Sequence, residues 1–365
     1  MSFTDQYYRG RLFFAAMLLT WLGPAAAAMG QVPGPSPAAH PDRQASLVTP
    51  LILPFAGPLN DPAAEISGLT WKDDWLVALP QDPIRFGRDG MLGFFAIPRQ
   101  QILDALDGRR SRPLEPSTVD CEAAGMMRMI AGFDGLEAMG IMGDRVYMTI
   151  EAKEDTVMAG YLVCGHYGMV GEKAVIDMTR LTSIPLGCNI PNVAEESMII
   201  DGRRVITFSE ANGLNVAPRP RAKVFDEMVN YLGSIPFPQI EYRVTDATDL
   251  DEHKRFWVIN YFYPPERAKL RPAPDPEISH FGAPEGFDPE GCIERLLELQ
   301  LTDDDRIVRT ETPPIYLEIE PGEGCRNWEA VVRLDGRGFL LMTDKYPGPL
   351  LAFVPDPFAT GKDDR

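Results

Sequence analysis

The sequence predicts an all-β fold, a β-propeller of four-stranded antiparallel blades, and three observations lead there. A hairpin pattern with acids at its open end recurs five times along the chain. Between successive copies there is room for about two more strands, so each copy opens a unit of four. After the fifth copy only 349–354 remains as a partner, while the apolar segment 47–54 is unassigned and can close the ring by pairing with the last unit. Five blades follow; six, the alternative count, would need one more hairpin. The rival fold, a pair of all-β sandwiches, offers no reason for an acid at every hairpin mouth.

The clearest copy is the third, 192–213, NVAEESMIIDGRRVITFSEANG. Glu195 and Glu196 lead into an apolar run, Asp201-Gly202 supply turn chemistry, and a second run ends at Glu210. Antiparallel register places Glu196 and Glu210 cross-strand or diagonal, where unpaired carboxylates repel, so a cation, a shared proton or solvent has to accommodate them. The first copy, 65–82, sets Glu65 opposite Asp82 about a turn at 72–74. The second has Glu137, a turn at Gly143-Asp144, and Glu151. The fourth, 244–262, has Asp246 and Asn260 about a turn near Glu252-His253. The fifth, 327–345, has Glu329, Asp335-Gly336 and then Asp344, one residue longer than the pattern, which a β-bulge accommodates. The intervening partner strands are expected at 92–98 and 121–130, 160–164 and 174–184, 222–229 and 240–244, and 292–301 and 306–318, with a short helix at 100–107.

Thirty-four Pro and 32 Gly in 365 residues suit many turns without reaching the share of a disordered chain. The N-terminus has Arg9 and Arg11, an apolar run at 12–22, and Ala26-Ala27-Ala28, the layout of a secretory signal peptide. That run is too short to span a bilayer, so no stable membrane insertion is expected. The expected organisation is a signal peptide at 1–28, a flexible Pro/Ala-rich leader at 29–46, one propeller domain at 47–356 and a disordered tail at 357–365, in a periplasmic or secreted protein. A formal charge of -18 repels nucleic acid and attracts metal cations. The five cysteines, Cys121, Cys164, Cys188, Cys292 and Cys325, allow at most two disulfides and leave the pairing open. Four His and no zinc-type spacing argue against a His-rich metal cluster.

In a propeller the innermost strand of each blade lines the axial channel, and its start shares a face with the end of the second strand. The acids therefore converge on one channel mouth, with the Pro-rich segment 263–291 long enough to lie over it as a rim or lid.

The hairpins resemble those of the esterase-like phytase domain family, secreted bacterial propellers. The matching stretches are ISGLTW at 66–71, GLEAM at 135–139, AEESMIIDGRRVITFSE at 194–210, VTDATDL at 244–250 and NWEAVVRLDGRGFLLMTD at 327–344, in the family's order. Where the family often has an acid followed by Arg after the fourth hairpin, this chain has Asn260 and Tyr261. Lys345 follows Asp344 where Asp or Asn is common. The resemblance implies a metal-assisted hydrolase of phosphate or carboxylic esters.

Converging hard oxygen donors suit Ca²⁺ or Mg²⁺. Glu137, Glu196, Asp246 and Glu329 are the leading metal candidates, followed by Glu65, Glu151, Glu210 and Asp344. A bound cation can polarise an ester oxygen and activate water without a Ser-His-Asp triad, and the chain has no G-x-S-x-G elbow. Glu196 and Glu210 are the catalytic candidates, and Lys153 and Lys345 could hold a phosphate or carboxylate. The alternative function is a non-catalytic propeller of the cell envelope that binds a ligand or protein on the same face. No oligomeric state is implied.

Overall fold

The computed structural model describes residues 44–359, except positions 124, 156, 169–171, 189, 192 and 335 and the side chain of Glu154. The expected signal peptide, most of the leader, the turn residue Asp335 and the last residues of the tail lie outside the described residues.

The chain is all-β and forms a propeller. Strands β1 (Ser46–Val48) and β2 (Leu51–Ile52) precede five consecutive antiparallel runs. The first is β3 (Ile66–Lys72), β4 (Trp75–Pro80), β5 (Leu92–Pro98) and β6 (Ser117–Glu122), with helix α1 (Arg99–Leu106) between β5 and β6. The second follows helix α2 (Met126–Met129) and is β7 (Phe133–Met142), β8 (Arg145–Glu154), β9 (Val157–His166) and β10 (Ala174–Ile184). The third is β11 (Ser197–Asp201), β12 (Arg204–Phe208), β13 (Arg221–Asp226) and β14 (Tyr231–Pro236). The fourth is β15 (Arg243–Ala247), β16 (Arg255–Phe262), β17 (Ile293–Leu301), β18 (Ile307–Arg309) and β19 (Ile315–Leu317), with α3 (Arg267–Leu270) and α4 (Pro276–Phe281) between β16 and β17. The fifth is β20 (Trp328–Leu334), β21 (Gly338–Thr343) and β22 (Leu351–Pro355).

The first strands touch in a closed order, β3 to β7 to β11 to β15 to β20 and back to β3. The N-terminal segment completes the ring: β2 pairs antiparallel with β22 in the last run, and β1 pairs parallel with β19 in the run before. The first two runs share an eight-stranded sheet through a short parallel ladder between β6 and β10.

Apolar clusters fill each junction between neighbouring runs. Phe94 and Leu136 belong to the junction of runs one and two, Tyr147 and Phe225 to that of two and three, Phe208 and Phe256 to that of three and four, Trp257 and Trp328 to that of four and five, and Phe95 and Leu340 to that of five and one. Each fully buried large side chain stabilises the ring by about 1.5–3 kcal/mol before entropy is counted. Removing any run would expose two such clusters.

Several expectations shift. The outer strand of the third run is β14, not 240–244, whose end instead opens the fourth run. Gly233 weakens the strand signal in YLGSIP, and the exposed Tyr231 and Leu232 fit an outermost strand. The second part of 121–130 is α2, entered through Gly125 at φ 82°, so β6 ends at Glu122. The tail expected from 357 is structured at its start, where the Phe358 ring stacks on Trp257 with centroids 6.5 Å apart.

Candidate functional site

Bulges in the first strands aim side chains into the channel. The register slips between Ile66 and Gly68, Leu136 and Met139, Val244 and Ala247, and Trp328 and Ala330. A bulge leaves a residue unpaired and re-aims it. The last slip is the one the longer fifth hairpin requires, and Glu329 occupies it. The first slip corrects the Glu65 register: the Gln81 N–H donates to the Glu65 carbonyl at 2.8 Å, so Gln81, not Asp82, stands opposite.

The equivalent positions split into two chemistries. The hydroxyls of Ser67, Ser197 and Thr245 donate to carbonyls of the next first strand, at Leu136, Val244 and Trp328 (2.6, 3.5 and 2.7 Å). Glu137 and Glu329, at the same position in their strands, instead line a cavity of about 500 Å³ at the channel mouth. Glu65, Glu151, Glu196, Asp344 and Lys345 line it too. Seven residues picked from the hairpins thus meet on one cavity.

Three do not join that wall. Glu210 is fully buried and ion-paired with Arg243. Lys153, on β8, lies outside the cavity wall. Asp246 is buried one position beyond the bulge residue and accepts the Val331 N–H at 2.7 Å, with further backbone donors at Ala247 and Leu69. It ties the fourth, fifth and first runs together, so its carboxylate is consumed as a staple and the metal role expected for it is corrected.

Arg243, at the start of β15, is the residue the hairpin reading missed. Its guanidinium, 12% exposed, lies 3.6 Å from Glu196 and 3.1 Å from Glu329, contacts Glu210, and donates to the Asn327 side chain at 3.2 Å. Burial disfavours its charge, but Glu196, Glu329 and Glu266 outweigh that and hold its pKa above the usual value. A signal was present: Arg243 stands at the hairpin-mouth position that carries Glu65 and Glu195 in other copies. The lid segment adds Glu266 and Lys269 to the wall, and the first run adds Asp82 and Arg85. The lid is held down by Leu270 packed into an apolar cluster with Val193, Tyr242 and Phe262, and by the ion pairs Arg295–Asp275 (2.8 Å) and Arg309–Glu277 (2.9 Å). The disulfide Cys292–Cys325 fastens its return end to the segment entering β20, while Cys121, Cys164 and Cys188 are free thiols.

Nine acids and four bases line the cavity, and each base already has an acid partner: Arg85 with Asp82, Lys269 with Glu266, Lys345 with Glu65, and Arg243 with Glu196 and Glu329. Burial first, and then neighbouring acids, raise the pKa values of Glu137, Glu151, Glu196 and Glu329. Glu137 goes well up through burial and then the charges of Glu151, Glu196 and Glu329. Glu329 does so through burial and Asp344, against the pull of Arg243. Glu151 reaches about 7 through burial, Glu196 and Asp134. Glu196 also reaches about 7 through burial, with Arg243 and Lys269 pulling the other way.

Among the described residues no three His, Cys, Asp or Glu side chains are grouped to hold an ion. Arg243 supplies the positive charge between Glu196, Glu210 and Glu329. The wall can nevertheless hold protons near neutral pH, donate one, and accept another on an ionised neighbour.

No family model and no curated protein matches this chain. Among solved structures it is similar to a glycosyl hydrolase from Bacteroides ovatus (10% identity, 87% of this chain and 96% of that one, TM-score 0.48). It is also similar to a putative glycoside hydrolase from Parabacteroides distasonis (10% identity, 86% and 94%, TM-score 0.44) and to a glucose dehydrogenase (13% identity, 82% and 99%, TM-score 0.40). The chemistry has to come from this chain's own side chains.

Proposed function

We propose that the chain is a hydrolase that cleaves an uncharged carboxylic ester by carboxylate acid–base chemistry at the mouth of a five-bladed propeller. The observation that carries this reading is the surplus of acids on one cavity whose every base is already paired. An anionic phosphate would meet net repulsion there, whereas a neutral polar ester would not. Burial holds both Glu151 and Glu196 near neutrality, with the charge of Glu196 adding to the rise at Glu151, so that at neutral pH one member can be ionised while the other keeps its proton. The ionised member takes a proton from water as its oxygen bonds the carbonyl carbon. The protonated member gives its proton to the leaving oxygen as the ester C–O bond breaks. Arg243 offers positive charge to the oxygen on which negative charge develops.

A second reading has one observation in its favour: Asp344 Oδ1 is buried on this wall without a side-chain hydrogen-bond donor, and Glu196 Oε2 has the Arg243 guanidinium no nearer than 3.6 Å. Carboxylate oxygens in that state suit a recruited Ca²⁺ or Mg²⁺ ion, which would act as a Lewis acid and admit phosphate esters, as the resemblance to the esterase-like phytase domain family implies. The N-terminal pattern and the disulfide support export to an oxidising compartment.

The test is hydrolysis of 4-nitrophenyl acetate and 4-nitrophenyl phosphate by the full chain, with chelator, Ca²⁺ or Mg²⁺, beside Glu196→Gln. Acetate turnover that survives chelator and falls about 10²–10⁴-fold in the variant is expected. Phosphate turnover that chelator abolishes would establish the metal reading instead. No turnover under any condition would leave a ligand-binding propeller.

A further inference from the structure

A second cavity of about 460 Å³ adjoins the acidic one, and Arg243, Glu266 and Asn327 line both. Its character is different. The rest of its wall carries three tyrosines, Tyr261 from β16, Tyr263 from the start of the lid and Tyr346 from the loop after β21. Tyr261 is buried with the Arg243 guanidinium over its ring, 5.6 Å from the centroid. Tyr263 and Tyr346 are 45% and 64% exposed, large rings that the protein does not bury although both border a cavity.

We propose that this annex is a subsite for an aromatic ring, so that the substrate is an aryl-bearing ester with its scissile bond among the carboxylates and its ring among the tyrosines. The inference rests on the acidic cavity being the reaction site. The volume falls within the range of small-molecule sites, about 300–1,000 Å³, which ample room for one ring satisfies. Aromatic rings favour offset or edge-to-face neighbours, and tyrosines can present both a face and an edge. The acid-lined wall next door offers an apolar group nothing, which fixes the substrate's orientation. Arg243 stands at the boundary, with one side towards the carboxylates and the other over Tyr261.

Calorimetric titration of the full chain with 4-nitrobenzyl alcohol, which is uncharged and has no ester to cleave, tests the subsite apart from catalysis. Saturable binding is expected, at least tenfold tighter than for butan-1-ol. Tyr263→Ala and Tyr346→Ala should each weaken it at least threefold, Tyr263→Phe should retain it, and Glu196→Gln should leave it within twofold. Both tyrosines are exposed, so the alanine variants keep their packing. Absence of saturable binding, or alanine variants that bind like the wild type, would overturn the subsite. Aryl binding without any ester turnover would uphold the subsite and overturn the hydrolase reading; ester turnover without aryl binding would do the reverse.

Discussion

Arg243 neutralises carboxylates that arrive from two different runs, Glu196 and Glu210 from the third and Glu329 from the fifth, while it belongs to the fourth. Removing it strands buried negative charge. Arg243→Ala is therefore expected to destabilise the fold by about 3–5 kcal/mol, read as a lowered denaturation midpoint in urea, and Arg243→Lys to lose less. An unchanged midpoint in the alanine variant would show that the acids find protons instead. Asp246 gives the opposite lesson, because its role is structural. Asp246→Ala leaves the Val331 N–H without its acceptor and should cost about 1–3 kcal/mol in the same assay, with hydrolysis per folded molecule unchanged.

Hairpins and their turns were legible because strand alternation and turn chemistry are local. Residues 201–202 and 143–144 turn the chain as expected, with Gly202 and Gly143 at positive φ (59° and 60°). The convergence of Glu65, Glu137, Glu151, Glu196, Glu329 and Asp344 followed from the same repeats. Bulges were not legible, apart from the one that hairpin length demanded. A slip of one residue decides whether Glu137 faces a cavity and whether Asp246 faces a backbone N–H, and no local pattern encodes that slip. Arg243 was hidden for another reason: its partners come from other runs, and only ring closure assembles them. The lid's contribution, Glu266 and Lys269, is equally non-local. Its tether can be tested directly. Closing a loop between Cys292 and Cys325, 33 residues apart, should contribute about 3–4 kcal/mol. Reductant should lower the urea midpoint of the wild type and leave a Cys292→Ser/Cys325→Ser variant unaffected.

Across the whole molecule, the carboxylates at the mouth link folding to pH. Glu151 and Glu196 have folded pKa values of about 7 against a usual value of 4.5, so the folded state binds more protons than the unfolded state between those limits. Their stabilising share is complete below the unfolded value and is lost as pH rises through about 7. Gln, which stays uncharged, removes that loss. Glu151→Gln should raise the melting temperature at pH 8, by roughly 2–4 °C per kcal/mol regained, and leave it unchanged near pH 4. The ring tolerates such charge because its junctions are apolar all the way round and its first and last runs are joined through β2 and β22. A strained mouth on a closed scaffold is where acid–base chemistry at neutral pH can be held ready. The most direct test of that claim is the pH dependence of kcat/KM for 4-nitrophenyl acetate, measured on chelator-treated full chain beside Glu196→Gln. The account predicts a wild-type profile that falls as pH rises through about 7, and a variant with both the activity and that descending limb lost. A wild-type rate that climbs steadily with pH, or a variant that keeps the same limb, would contradict it.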